Sequence, residues 1–504
     1  MPPKIKASPV LCAALGAASA FYCLIPIFRK GLISIDALLV LSFIPVAALC
    51  LFWVLASFPP VSHDRRFRMA AILAAAFSAG LALGISAGAK AATVTSFGIP
   101  ENTVTGISGV LLDDPRLISG GRAMSALSLR MVTGSNGTRA TARGEVTVFF
   151  PEESAGRLQE FGRGAAVFAG GNLRAGTGGF EGAYTFSAQT LHVTNPAPPL
   201  ERFRTGLRLD LTRRFTASAS AGGQWGALAL PLLLGIRDNL DTGFTSLYRS
   251  AGCSYILALS GMHLAVFIAI ISFLLKKPLG LKASAIAGVC IIAAYCFIVG
   301  PLPSIIRSAL MYFLGVLAVL GMLKRDALSV LCMAFLIQST VTPQAGFSVS
   351  FILSYLALAG ILILGGMINN IFTGTIPAFL LRPVSVSLGA FIATAGVVAW
   401  FFGELRPVGI LAGLVITPLT TLFMVGSIAW LCLDLAVPAL SFLIGKPLSV
   451  LYWLMEKTAA LASFIPGIRA NPLPVLALSI AAAGLLAWFD FRCRRVKTRL
   501  EPFD

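Results

Sequence analysis

Residues 250–269 read SAGCSYILALSGMHLAVFIA. The run is apolar enough for a membrane interior, yet Ser260, Gly261 and His263 stand at its centre, and His263 is one of only three histidines in 504 residues. Read as helix, the three-residue spacing puts Ser260 and His263 on one face. A polar group at membrane depth needs a partner or a water-filled neighbour. The stretch therefore specifies a membrane protein with an internal polar site, not a simple anchor.

Composition agrees. Mean hydropathy is +0.86, hydrophobic residues make up 57% and charged residues only 12%, against about 25% charged in soluble domains. Several apolar stretches of about 18 residues or more can each cross roughly 30 Å of hydrocarbon as helix. The net charge of +18 sits mostly on short loops and segment ends. That is the pattern of the positive-inside bias, and attraction for a polyanion is the second reading of it. The nine cysteines stand singly, with no CxxC pair; neither a disulfide framework nor a zinc ribbon is indicated.

Outward from the opening stretch, the chain divides into five parts. Residues 1–96 hold hydrophobic segments near 8–28, 33–58 and 69–93. The first continues past any signal-peptide length and reads as an uncleaved helix. The third carries Gly80, Gly84 and Gly88, a small-residue ridge for close packing inside the monomer. Residues 97–200 change to period-two alternation, with Leu127, Leu129 and Met131 on one face, then Val146, Val148 and Phe150, then Tyr184, Phe186 and Ala188. Gly-rich and Asp-Pro turns separate these runs, so about five strands are predicted. A small antiparallel barrel suits them, the oligomer-binding (OB) barrel being one option. With 8 basic and 8 acidic residues this part is neutral.

Residues 201–250 form a linker. Arg202, Arg204, Arg208, Arg213 and Arg214 interleave with Phe203, Leu207, Leu209, Leu211 and Phe215. An amphipathic helix at the membrane surface is predicted, serving as a basic anchor or as a guide for an anionic strand. Residues 251–489 hold about nine further spans, giving about twelve in all, and 490–504 is a basic tail. Loop charges, chiefly Lys4, Lys6, Arg65, Arg66 and Arg68 against Arg29 and Lys30, place both termini in the cytoplasm and 97–222 outside.

In the core, Ser260, Gly261, His263, Arg307 and Ser308 are the leading candidates for a transport path. Gln344, Ser348, Ser350, Ser354, Glu404 and Arg406 are secondary ones. Arg307 follows Pro301 and Pro303, so its helix starts there, with Ser304 as N-cap. The guanidinium either snorkels to the interface or lines an aqueous path where its fork suits phosphate. The serines serve equally as inter-helix hydrogen-bonding groups. No GxxxxGK[ST], no HExxH and no cluster of metal-ligating histidines occurs, so no ATP-hydrolysing loop, metal site, cofactor or soluble-type enzymatic activity is expected. His192 lies in a strand pattern, facing solvent.

Together these motifs resemble the ComEC family of competence proteins. Gly252 to Phe267, GCSYILALSGMHLAVF, is similar to the segment that marks the family. Leu232-Leu233-Leu234-Gly235, then Pro303 to Met311 around Arg307, then Gln344 with Phe347 to Phe351 and Tyr355, match further motifs in the same order. The resemblance implies a polytopic α-helical membrane protein with an inserted external OB-like β domain, in the bacterial cytoplasmic membrane. It implies a channel component carrying single-stranded DNA inward during natural transformation, with Ser260, Gly261, His263 and Arg307 at the family's marked positions. A separate DNA receptor, ATPase and nuclease are then expected as partners besides membrane lipids, with a homo-oligomer possible. Two departures stand out: a family histidine is Tyr255 here, and a late helix asparagine gives way to Gly409 and Gly413. The chain ends at Asp504, soon after its last helix, so a short form without the family's metallo-β-lactamase-like nuclease domain is expected. The alternatives are a transporter of another polymer or solute on the same scaffold, or a membrane-embedded assembly factor or enzyme.

Overall fold

The computed structural model describes residues 8–20, 22, 65–91, 96–117, 123–151, 161–175, 184–220, 224–237, 239–300, 302–321 and 326–500. The predicted segment 33–58, and Lys4, Lys6, Arg29 and Lys30, lie outside them, as do the side chains of Arg65, Arg66 and Arg68.

Helices α1 (Pro9–Ser19) and α2 (Arg65–Ala91) pack through small residues. A Cβ on Gly16 would meet the Phe77 carbonyl oxygen at 2.1 Å, and one on Gly84 the Ala17 carbonyl oxygen at 2.6 Å. The glycine ridge thus serves packing inside the monomer, as its spacing implied.

The β domain comprises β1 (Val104–Leu111), β2 (Arg116–Leu117), β3 (Ala123–Gly134), β4 (Arg139–Thr141), β5 (Glu145–Phe149), β6 (Ala166–Ala175) and β7 (Tyr184–Asn195). β1 pairs with both β3 and β6, β3 with β5, β5 with β7, and β7 with β6. The pairings therefore return to their start, and only β5–β7 is parallel. Leu127, Leu129, Val146, Val148, Phe150 and Phe186 fill the inside, as their alternation implied. Met131 does not: a register shift opposite Ser108 and Gly109 adds one residue to β3, so Met131 points outward and Val132 takes the inner place. His192 is exposed.

Helix α3 (Pro199–Ser220) leaves the β domain. Its C-terminal half docks on the helical core. Phe215 is buried, its ring 5.1 Å from Trp430, which is also 5.1 Å from Trp225. Arg214 bonds Asp434 at 3.0 Å. Of the apolar stripe, Phe215 is buried by protein, the leucines are half-buried and Phe203 remains exposed. Helix α4 (Trp225–Leu234) is almost wholly buried and ends at Gly235, whose φ of 71° is the left-handed conformation favoured at a helix C-terminus. Two short helices follow, α5 (Thr242–Ser250) and α6 (Ser254–Leu257).

The core then runs through α7 (Gly261–Val299), α8 (Pro303–Leu320), α9 (Ala327–Val341), α10 (Val349–Gly360), α11 (Gly366–Phe372), α12 (Ala378–Phe402), α13 (Val408–Ala436), α14 (Phe442–Ser463) and α15 (Pro472–Leu500). A π-turn over Ile361–Gly365 joins α10 to α11. Helix α7 breaks at Gly280, where φ is 72°. Phe267 of its first arm lies 4.4 Å from Tyr295 of its second, a contact that a straight helix with 1.5 Å rise per residue forbids. The two arms form a hairpin, with Lys276, Lys277 and Lys282 flanking its turn.

Among the described residues, six helices are long and apolar enough to cross a membrane, and α7 supplies two arms. The protein is a polytopic helical membrane protein. The remainder of the predicted count falls to shorter apolar helices such as α9, to the charge-bearing α14, and to residues outside those described.

Candidate functional site: a polar cluster where a membrane helix is broken

The opening stretch is not one continuous helix. A single helical turn over Ser254–Leu257 gives way to extended backbone at Ala258, and α7 begins only at Gly261, with Ser260 as its N-cap. Ser260 and His263 meet by capping, not as face neighbours. The Ser260 backbone N–H donates to His263 Nδ1 at 3.0 Å, and the Ser260 hydroxyl lies 3.0 Å from the same nitrogen. With Nδ1 accepting, the neutral ring carries its proton on Nε2. His263 is completely buried, and Nε2 has no hydrogen-bond partner.

Helix α8 brings its first turns against this break. The Ser304 hydroxyl donates to the Leu259 carbonyl at 2.7 Å. Its predicted capping role is therefore replaced by a cross-helix bond, and Leu302 is the N-cap. Ser308 donates to the Ser304 carbonyl at 3.0 Å. Arg307 is 7% exposed, so it does not snorkel out of the protein. Its Nη1 donates to the Ser354 carbonyl of α10, its Nη2 lies 3.4 Å from Ser308 Oγ, and its Cζ sits 5.8 Å from the centre of the Tyr355 ring. Its Nε has no partner, and among the described residues no carboxylate pairs with the guanidinium. Tyr355 donates to Gln338 Oε1 at 2.8 Å, and Gln338 Nε2 donates to the Pro303 carbonyl at 3.0 Å, so α9 and α10 return the network to the start of α8.

Gly261 is where the two halves touch. A Cβ there would stand 2.5 Å from Ser308 Oγ and 2.6 Å from Arg307 Nη2. Glycine lets the guanidinium lie against the α7 backbone. The structure thus gathers Ser260, Gly261, His263, Arg307 and Ser308 around one helix break, with Ser354 contributing its carbonyl.

The other candidates lie apart. Gln344 and Ser350 are exposed, and Ser348 caps α10, accepting from the Phe351 N–H at 3.2 Å. Glu404 and Arg406 pair at 2.7 Å, and Arg406 donates to the Ser250 carbonyl at 2.6 Å. They sit beside a two-stranded pairing of β8 (Glu404–Leu405) with β9 (Ile468–Arg469) and an open cavity of about 410 Å³ lined in part by Trp400, Arg469 and Asn471. No hydrogen bond joins them to His263 or Arg307 among the described residues. Gly409 and Gly413 do give close packing: a Cβ on Gly409 would stand 2.5 Å from the Gly252 carbonyl oxygen, and one on Gly413 2.5 Å from the Tyr255 hydroxyl.

Of the linker arginines, Arg204 is 2% exposed and bonds Asp114 at 2.7 Å and Glu201 at 2.6 Å. Arg208 donates to the carbonyls of Ile298 and Val299 at 2.8 and 2.7 Å. With Arg214 on Asp434, three of the five are engaged inside the protein; Arg202 and Arg213 are exposed. Sequence reasoning missed Gln338, and it quoted Tyr355 within a family motif without naming it as a site residue. Their meeting with Arg307 depends on how α8, α9 and α10 pack, and the only local signal was a polar residue in each apolar helix.

Chemically the cluster suits negative charge. Among the described residues it offers two buried donors without acceptors, Arg307 Nε and His263 Nε2, and no carboxylate. A buried donor left unsatisfied costs about 1–3 kcal/mol. Discontinuous helices at membrane depth are where transporters build substrate sites.

The chain is similar to an uncharacterized protein of Aquifex aeolicus (strain VF5), 26% identical over 264 residues, which is 52% of this chain and 60% of that protein's length. No solved structure matches. The model of the competence protein family matches residues 232–493, from the end of α4 into α15, and so takes in the helix break, Arg307 and the Glu404–Arg406 pair. The chain belongs to the competence protein family.

Proposed function

We propose that the chain is a membrane component of DNA uptake and that it conducts a single strand past the Ser260–His263–Arg307 cluster. Its place in the family and its membrane helices support the general role. The observation that carries the specific one is Arg307, a permanent cation with no carboxylate partner among the described residues, buried against Gly261, two positions from a histidine with an unused donor. A phosphodiester supplies the acceptors that both lack, and the guanidinium fork suits its geometry. In the closed arrangement the Ser354 carbonyl and the Tyr355 ring hold the guanidinium; a passing phosphate takes over those contacts.

The β domain is read as a small OB-like barrel, supported by its closed five-strand order of β1, β3, β5, β7 and β6. Arg130, Arg139 and Arg143 are exposed on and beside the β3–β4 hairpin and carry no ion pair among the described residues, which suits a strand backbone. The reading places this domain outside the bacterial cytoplasmic membrane and both chain ends inside. Motor, nuclease and DNA receptor are separate proteins in this scheme. In the test, a strain lacking the chain loses uptake of transforming DNA while surface binding of DNA persists. Normal transformation in that strain would sink the proposal. Uptake of another polyanion with unchanged transformation would instead support a transporter on the same scaffold.

A further inference from the structure

The junction between the β domain and the helical core is built from charge, and it ends on the helix that carries Arg307. Asp114, in the turn after β1, is its centre. Asp114 Oδ1 accepts from Arg204 Nη2 at 2.7 Å and from the Arg163 backbone N–H at 3.2 Å, and Asp114 Oδ2 lies 3.7 Å from Arg208 Nε. Arg208 Nη1 then donates to the last two carbonyls of α7, Ile298 at 2.8 Å and Val299 at 2.7 Å. Cations at a helix C-terminus satisfy orphan carbonyls and complement the dipole. Gly300 follows at once with φ 104°, and a Cβ there would stand 3.7 Å from Arg204 Nη1. Three residues later α8 begins, and Arg307 lies in its second turn.

We infer that Asp114 and Arg208 are positioning residues through which the β domain sets the start of α8, and with it the placement of Arg307. Three features support this over a simple domain tether. The clamp grips the turn between α7 and α8, not an arbitrary surface. Beside Arg208 it engages a buried arginine, Arg204, 2% exposed and paired with both Asp114 and Glu201, so loosening Asp114 removes one of the two carboxylates that balance a buried charge. It also reaches the same short turn that the Ser304–Leu259 bond fixes from the other side. A change in the Asp114 turn when a strand occupies the β domain therefore has a short, rigid route to the transport site. The inference rests on the proposed transport role for its functional half and on geometry alone for its structural half.

The experiment uses the full chain. Backbone hydrogen exchange over residues 300–306 and uptake of single-stranded DNA are measured for the wild type, Asp114→Asn, Asp114→Glu and Arg208→Lys. Arg208→Lys keeps the charge but loses the fork that reaches the carbonyls and Asp114 together, and it stands in should Asp114→Asn fail to accumulate. The expected result is exchange over 300–306 at least tenfold faster in Asp114→Asn and Arg208→Lys, with exchange in α13 and α14 unchanged and uptake at least tenfold lower. Asp114→Glu should restore much of both. Unchanged exchange over 300–306 would overturn the inference, and so would faster exchange with full uptake. Absence of uptake in the wild type would count against the proposed transport role, and the exchange measurement would then decide the clamp by itself.

Discussion

A guanidinium inside an apolar bundle, with no carboxylate partner among the described residues, lowers stability. Replacing a buried, incompletely satisfied charge by an apolar side chain of similar volume is often neutral or stabilising. Arg307→Met is therefore expected to raise stability by about 1–3 kcal/mol, read as a higher melting temperature in detergent, while abolishing DNA uptake. A stability loss with retained uptake would mark Arg307 as structural. Gly261→Ala tests the same contact from the other side. The added methyl group, 2.5–2.6 Å from flexible ends of Ser308 and Arg307, displaces the guanidinium at a cost of about 1–3 kcal/mol. Uptake should fall at least tenfold at a matched protein level. At this scale the sequence was legible where one polar residue interrupted an apolar run, as at His263 and Arg307. It was illegible where partners were backbone carbonyls, such as Leu259 and Ser354, because any residue type supplies a carbonyl.

The helices themselves followed from apolar length and from Gly and Pro punctuation, and Gly280 divides α7 between Lys277 and Lys282. Helix α3 formed as expected, but its protein partners were not legible. Alternating arginines and apolar residues fit a lipid surface and a protein groove equally well. Only the tertiary partners Asp114, Asp434 and Trp430 distinguish the two. That account predicts that Phe215→Ala, which empties the contact of α3 with Trp225 and Trp430, lowers stability by about 3–5 kcal/mol. A helix merely resting on lipid would leave unfolding unchanged. The crossing of α13 with the Gly252 turn sets a second expectation. In Gly409→Ala the methyl group meets backbone atoms of Gly252 at 2.5–3.2 Å, and backbone has little freedom to yield. Gly409→Ala should destabilise by about 1–3 kcal/mol, seen as a lower melting temperature, and more than Gly315→Ala, where open space surrounds the added group.

Across the whole molecule, the β domain, the turn between α7 and α8, and the helix break at Ser260 lie in sequence from one end of the bundle, opposite the lysine-flanked Gly280 turn. Strand pairing order and domain docking were not legible in the sequence, because period-two alternation fixes which face is inside and not which strand is adjacent. The strands after residue 97 were legible, because burial of one sheet face imposes period-two alternation. The central claim is that this arrangement conducts DNA past Arg307 and His263. Its most direct measurement is transformation frequency in a deletion strain complemented with the wild type, His263→Ala or Arg307→Ala at equal membrane levels, with surface-bound DNA counted alongside. The account predicts transformation at least a hundredfold lower for Arg307→Ala and at least tenfold lower for His263→Ala, with surface binding retained. Wild-type transformation by Arg307→Ala would contradict it.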